Sequence, residues 1–160
     1  FFRAAALLQQ KMPEAHFVLC GGLEVELSQI EREAFATIPN RSQVRFVPFR
    51  ADPWNLYPAF DIFTLSSRTE ACPMTLIEAM ACGVPCITTD AGDCGRLLDG
   101  VGHTVPLHDA QALADAWKVT ATLDAPTLHQ IGELSRQRVI EQFTIAGATE
   151  HYAGTYARLL

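Results

Sequence analysis

The sequence predicts an α/β fold in which a doubly wound parallel sheet is followed by a helical C-terminal tail. Short apolar segments alternate with amphipathic segments over the first two thirds of the chain, and only helical patterns follow. Strands that alternate with helices form parallel sheets covered by helices on both faces. The 160 residues, 49% hydrophobic and 19% charged, have the composition of one globular domain, 1–160.

Apolar spacing and turn residues define the elements of the first third. Two glycines, Gly21 and Gly22, end an apolar segment that is typical of a buried strand. An amphipathic segment, typical of a surface helix, follows them. The elements predicted before residue 60 are a helix at 1–11, a strand at 16–20, a helix at 23–37, a strand at 44–47 and a short helix at 53–59.

The middle of the chain reads as strand, loop and helix. Residues 61–65 are short, apolar and β-prone, which predicts a strand buried on both faces. Pro73 stands where a first helical residue is favoured, so Glu70 lies in the loop and Glu78 inside the helix. The backbone N–H groups at the start of this helix are free, and they form a site for an anion.

Buried strands and capped helices make up the rest of the chain. Asp109 and Thr144 are cap residues, and Pro126 is suited to a first turn. The elements predicted after the central helix are a strand at 86–89, a turn at 90–93, a strand at 103–106, and helices from Ala110 to about Leu123, from Pro126 to about Phe143 and from Thr144 to Leu160.

Charge and composition exclude several classes of protein. The net charge is −6 and the 12 basic residues are dispersed, which argues against a nucleic-acid surface. No apolar run reaches the roughly 20 residues of a membrane span, and no signal-peptide pattern is present. The five cysteines include no paired C-x2-C clusters, so we expect free thiols, a cytoplasmic protein and no metal site. Peripheral contact of a longer parent with a membrane stays open.

Two carboxylates flank the predicted anion site. They suit a ligand with hydroxyls at both ends and a diphosphate between them, as in a nucleotide sugar. At this point the sequence resembles the retaining glycosyltransferases of the GT-B fold, in particular the group 1 (GT4) family. That family carries two glutamates with the spacing of Glu70 and Glu78, followed by Ala-Met-Ala-x-Gly-x-Pro. Here the second glutamate is followed by Ala79-Met80-Ala81-Cys82-Gly83-Val84-Pro85.

The resemblance implies a role for each candidate residue. Glu78 would accept hydrogen bonds from the ribose hydroxyls, and Glu70, the candidate catalytic residue, would face the hydroxyls of the transferred sugar. The remaining candidates are donor-binding residues: Pro73, Met74 and Thr75 at the helix start, whose amides would meet the diphosphate and the sugar, and Phe49 and Arg50 beside the base, largely through backbone atoms.

The resemblance also implies what the chain does and lacks. It would be most of the donor-binding C-terminal domain of a hexosyltransferase that acts with retention of anomeric configuration, without metal or cofactor. The partners would be a nucleotide sugar and a missing N-terminal acceptor-binding domain, and this chain alone would be inactive. A GT-B epimerase or phosphorylase and a non-catalytic nucleotide-binding module remain alternatives. A dinucleotide oxidoreductase is disfavoured because no G-x-G-x-x-G follows a strand.

Three departures from the family pattern stand out. Ala71 and Cys72 replace a glycine and an aromatic residue, and Arg96 stands where an acidic residue is common. The family's basic pair, near the end of the first strand, has no counterpart. In the family's strand order that first strand lies between the strands predicted at 17–20 and 61–65. We therefore expect an interrupted sheet, with these strands about 9 to 10 Å apart, twice the normal spacing of roughly 4.8 Å.

Overall fold

The computed structural model describes residues 1–159, in which strands and helices alternate before a helical tail. The strands are β1 Phe17–Cys20, β2 Val44–Val47, β3 Phe63–Leu65, β4 Cys86–Thr89 and β5 His103–Val105. The α-helices are α1 Phe2–Lys11, α2 Gln29–Ala36, α3 Met74–Ala81, α4 Cys94–Leu98, α5 Ala110–Ala121, α6 Ala125–Gln142 and α7 Ile145–Leu159. The predicted α/β fold and its helical tail are confirmed; Leu160, to which the last helix was extended, lies outside the described residues.

All strand pairs are parallel and form two sheets. One sheet is β1–β2, and the other has the order β3–β4–β5. Within residues 1–159 no ladder joins β1 to β3, as the predicted interruption requires. The spacing of about 9 to 10 Å across the interruption, twice the normal strand spacing, stays a prediction.

Two hydrophobic clusters cover opposite faces of the β3–β4–β5 sheet, because successive residues of β4 point to opposite sides. Ile87 belongs to a cluster with Phe17 of β1 and Trp117 of α5, so this cluster spans both sheets. The Trp117 indole donates a hydrogen bond to Thr64 Oγ1 of β3 at 2.8 Å. Cys86 belongs to the second cluster, which lies among α3, α4 and α6. The shared cluster holds the two sheets together despite the missing ladder.

Helix boundaries in the second half follow their caps. The Asp109 carboxylate accepts a hydrogen bond from the Ala112 amide at 2.8 Å, and Asp124 accepts one from the Thr127 amide at 3.0 Å. These caps satisfy N–H groups that have no partner inside the helix. The helices predicted to start after Asp109, at Pro126 and after Thr144 are therefore confirmed, with shifts of one or two residues. None of the helices in residues 1–159 is both long and apolar enough to cross a membrane.

The prediction of one helix over 23–37 is wrong in its first third. Residues Glu24–Glu26 form a 3-10 turn, and the α-helix starts only after Ser28. The Ser28 hydroxyl accepts a hydrogen bond from the Glu31 amide at 3.3 Å, and the Glu31 carboxylate accepts one from the Ser28 amide at 2.8 Å. This capping box fixes the helix start.

Two predictions near the middle of the chain also need correction. The short helix predicted at 53–59 is a pair of 3-10 turns, because Pro58 has no N–H with which to continue a helix. The strand predicted at 61–65 covers Phe63–Leu65, and its residues are half-buried rather than buried on both faces. Within the described chain β3 has a ladder partner on one side only, which leaves its other edge open.

Candidate functional site

The segment between β3 and α3 lies at the carboxyl edge of the three-stranded sheet, where ligands bind in open parallel sheets. Residues 66–73 form this connection, and the turn at 90–93 follows β4 at the same edge. Glu70 lies in the loop and Glu78 lies in α3, as the sequence predicts.

The β4 turn fixes the loop that carries Glu70. The buried Thr89 hydroxyl donates a hydrogen bond to the Ser67 carbonyl at 2.5 Å, and the Asp93 amide donates one to the Ala71 carbonyl at 3.0 Å. Gly92 has φ 53°, and a Cβ atom there would overlap the carbonyl group of Glu70. Only glycine combines this conformation with such a close backbone approach. The backbone on both sides of Glu70 is therefore held by tertiary contacts.

The start of α3 offers free amide donors. Pro73 is the N-cap rather than the first helical residue, and it makes no side-chain cap. The first backbone amides of the helix to donate a hydrogen bond are those of Leu76 and Ile77, at 3.2 and 3.4 Å from the Pro73 carbonyl oxygen. The amides of Met74 and Thr75 precede them, and both residues are exposed. Together with the helix dipole, these amides favour a negatively charged group at the helix start.

Glu78 lies in the apolar setting that the sequence predicts. The neighbouring Ile77 and Ala79 are buried, and Glu78 itself is half-buried. Its Oε2 accepts a hydrogen bond from the Tyr57 hydroxyl at 2.9 Å. Burial, and then this bond to a carboxylate, raise the pKa of Tyr57 well above its usual range. Tyr57 thus stays a neutral donor at physiological pH.

Phe49 and Arg50 follow β2, in the other sheet. The Phe49 side chain is 81% exposed. The Arg50 guanidinium donates two hydrogen bonds to the Asp52 carboxylate, at 2.9 and 2.8 Å, and these hold the pKa of Asp52 below its usual range. The Arg50 side chain therefore has a partner two residues away, within its own loop.

A depression of about 550 Å³ is lined in part by Asp90, which follows β4, by Gly95 of α4 and by Thr104 of β5. Neither Glu70 nor Glu78 lines it. Within residues 1–159, no three His, Cys, Asp or Glu side chains cluster in a way that could hold a metal ion.

Three residues of this site could not be identified as site residues from the sequence alone. The sequence gives no sign that the Tyr57 hydroxyl reaches Glu78, 21 residues away. Thr89 reads as an ordinary strand residue, although it anchors the loop. Gly92 reads as a turn glycine, and only the closeness of the Glu70 backbone reveals its second role.

Comparison with known proteins identifies the family. Residues 1–121, about three quarters of the chain, match the family described as glycosyl transferases group 1. The chain belongs to this family. Among relatives of this group 1 chain is the lipopolysaccharide core biosynthesis mannosyltransferase LpsB of Rhizobium meliloti, 30% identical over 134 residues. That alignment covers 81% of this chain but 37% of LpsB, so the chain spans well under half the length of such relatives.

Solved structures share the fold. Anabaena HepE in complex with UDP-glucose superposes with a TM-score of 0.83 at 23% identity, over 98% of this chain and 44% of the HepE chain. The C-terminal domain of LpcC, a group 1 family protein from Francisella tularensis, superposes with a TM-score of 0.74 at 25% identity. That match covers 91% of this chain and 78% of the LpcC domain. The group 1 chain thus has the GT-B type of α/β architecture.

Proposed function

We propose that this chain is the donor-binding, C-terminal domain of a retaining glycosyltransferase of hexosyltransferase type. The observation that carries the proposal is the pair of glutamates on either side of a helix start with free amides, at the carboxyl edge of a parallel sheet. Family membership supports it, as does the UDP-glucose bound by the structurally similar HepE.

In the proposed complex each part of the donor meets a matching group. The ribose hydroxyls donate to the Glu78 carboxylate, and the diphosphate oxygens accept from the amides of Met74 and Thr75, next to Pro73. The sugar hydroxyls donate to Glu70, while the base lies beside Phe49 and the Arg50 backbone. Carboxylates accept hydrogen bonds from hydroxyls, and helix N-termini bind phosphates.

The proposed reaction breaks the bond between the sugar's anomeric carbon and the diphosphate oxygen. It forms a bond from that carbon to the oxygen of an acceptor hydroxyl on the same face, and the proton of that hydroxyl passes to the departing diphosphate. Negative charge develops on the departing diphosphate. The amides at the start of α3 are aimed where this charge appears, which is stabilisation by preorganised dipoles. Glu70 orients the sugar, and the reaction is proposed to need neither a metal ion nor a cofactor.

We further propose that the acceptor binds to an N-terminal domain outside these 160 residues, in a cytoplasmic enzyme. The chain spans only 37% of LpsB, yet its match covers 78% of a structure described as the C-terminal domain of a group 1 protein. A donor domain without its acceptor domain should turn over no nucleotide sugar.

The test is to assay the full-length parent with UDP- and GDP-sugars, and to determine the anomeric configuration of the product by NMR. Glycosyl transfer with retention is the expected result. Inversion would contradict the retaining mechanism, and conversion of the donor to an epimer without transfer would favour the epimerase. Nucleotide binding with no turnover would favour a non-catalytic module. Turnover by the isolated chain would contradict the two-domain requirement.

A further inference from the structure

We propose that Tyr57 is a positioning residue for Glu78: its hydroxyl orients the Glu78 carboxylate so that the remaining acceptor sites face the ribose hydroxyls of the donor. The inference rests on the proposed function, because it assumes that Glu78 meets the ribose. It adds a residue on a different element, a 3-10 turn before β3, to the donor site.

The position of the Tyr57 ring is fixed by packing, in a hydrophobic cluster that also contains Leu76 and Met80 of α3. Its side chain is almost fully buried, with 5% of the residue exposed. The ring packs edge-to-face on Phe63 of β3, with centroids 5.6 Å apart and planes at 82°. Such aromatic pairs prefer this geometry. The packed ring therefore holds the hydroxyl in place, and the hydroxyl serves as a fixed point for the Glu78 side chain.

The hydrogen bond determines how Glu78 can be used. A carboxylate has two oxygens with about four acceptor sites, and the Tyr57 hydroxyl occupies one site on Oε2 at a distance of 2.9 Å. No second hydrogen bond to the Glu78 carboxylate occurs among residues 1–159, so Oε1 keeps its acceptor capacity. A ribose presents two adjacent hydroxyls, which suits the acceptor sites that remain.

Restriction of Glu78 before the ligand arrives should favour binding. A glutamate side chain loses rotamer freedom when a ligand immobilises it, and this loss weakens affinity. Because the buried Tyr57 stays protonated, its restraint on Glu78 persists at neutral pH. The effect must appear only with ligands that carry the ribose hydroxyls, since Tyr57 acts through the carboxylate.

The experiment measures dissociation constants by calorimetry on the full-length parent. The probes are UDP and GDP, each paired with its 2′,3′-dideoxy analogue. All variants are measured with the pair that the wild type binds more tightly, and the readout is the ratio of the two dissociation constants in that pair. The variants are Tyr57→Phe, Glu78→Ala and the double variant. Tyr152→Phe, on exposed α7, is the matched control. Thermal unfolding of each variant checks the fold.

We expect Tyr57→Phe to lower the preference for the ribose nucleotide about three- to tenfold, less than the loss of a direct hydrogen bond to a charged group, because Tyr57 acts through the Glu78 carboxylate. Glu78→Ala lowers it at least as much, the double variant matches Glu78→Ala, and the control leaves it unchanged. Equal weakening of both probes by Tyr57→Phe, or no weakening, would overturn the positioning role and leave the proposed function standing. A lower preference for the ribose nucleotide in the double variant than in Glu78→Ala would overturn the positioning role in the same way. An unchanged preference in Glu78→Ala would overturn the ribose assignment together with the role of Tyr57.

Discussion

The loop after β3 and the loop after β2 both follow parallel strands, yet they are held in different ways. The first is tied to the β4 turn by hydrogen bonds at Ser67 and Ala71 and by the close approach of Gly92 to Glu70. The second carries an exposed Phe49 and an Arg50 whose side chain, among the described residues, forms hydrogen bonds only with Asp52, two residues away. Tertiary contacts that converge on one loop position its side chains before a ligand binds, whereas local contacts leave the other loop adjustable.

This difference predicts that substitutions behind the Glu70 loop cost more than substitutions in the Phe49 loop. The largest effect is expected for Gly92→Ala. The new Cβ would overlap the Glu70 carbonyl, and φ 53° is unfavourable for alanine. Strained backbone and overpacking each cost roughly 1–3 kcal/mol. Transferase kcat/KM of the full-length parent should fall more than about tenfold, because Glu70 is displaced.

Gly100→Ala is the matched control for that prediction. Gly100 also has positive φ, 74°, but a Cβ atom there would meet nothing within 4 Å. Gly100→Ala should therefore add only backbone strain, and it should leave the activity of the folded enzyme nearly unchanged. Steady-state kinetics together with thermal unfolding checks both variants, and equal activity losses would show that contact with the Glu70 loop is irrelevant.

The two glutamates themselves should differ in their effect on nucleotide binding. In the proposed complex a ribose contact needs only this domain, while the sugar pocket would close between this domain and the proposed N-terminal domain. Glu78→Ala should therefore weaken UDP or GDP binding to this chain by roughly tenfold, and Glu70→Ala by clearly less. Titration calorimetry measures both. Equal losses, or a larger loss at Glu70, would refute the assignment of Glu78 to the ribose.

A smaller effect, on stability, is expected for one of two adjacent threonines of β4, and the other threonine is its matched control. Thr89 donates to the Ser67 carbonyl, but the Thr88 hydroxyl is buried without a hydrogen-bond partner among the described residues. Thr89→Val should cost about 1 kcal/mol of unfolding free energy, whereas Thr88→Val should be neutral or stabilising. Urea unfolding of the two variants measures the difference. A stability loss at Thr88 as large as that at Thr89 would contradict the anchoring role.

The smallest effect is expected for Arg50→Ala in the adjustable loop. The ion pair with Asp52 is exposed and screened by solvent, so its loss should change nucleotide affinity less than about threefold. The lowered pKa of Asp52 means that the pair persists above the usual carboxyl pKa of about 3.9 and breaks only as pH falls below it. Affinity should therefore show no dependence on this pair between pH 5 and pH 8. A large loss of affinity in Arg50→Ala would show that its side chain, and not only its backbone, binds the donor.

Sequence patterns predicted what local chemistry determines. The buried strand at 86–89 and the helices after Asp109 follow from apolar runs and caps, which are properties of neighbouring residues. The helix predicted at 23–37 failed because several polar residues fit a helix equally well, and the reciprocal bonds of Ser28 and Glu31 decide where it starts.

The sequence predicted which elements carry the candidate donor-binding residues, but not which residues support them. Glu70 and Glu78 show a recognisable spacing, and the start of α3 follows from Pro73. The supports depend on contacts between distant segments: Tyr57 reaches across 21 positions and Thr89 across 22. Hydrophobic periodicity carries no signal for a single hydroxyl that meets a carboxylate or a carbonyl on another element.

The most direct test of the central claim is a crystal structure of the full-length parent with UDP or GDP bound. We expect ribose hydroxyls within about 3.2 Å of the Glu78 carboxylate, and diphosphate oxygens at the amides of Met74 and Thr75. A nucleotide bound elsewhere, for example in the depression beside Asp90 and Thr104, with no contact to Glu78, would contradict it.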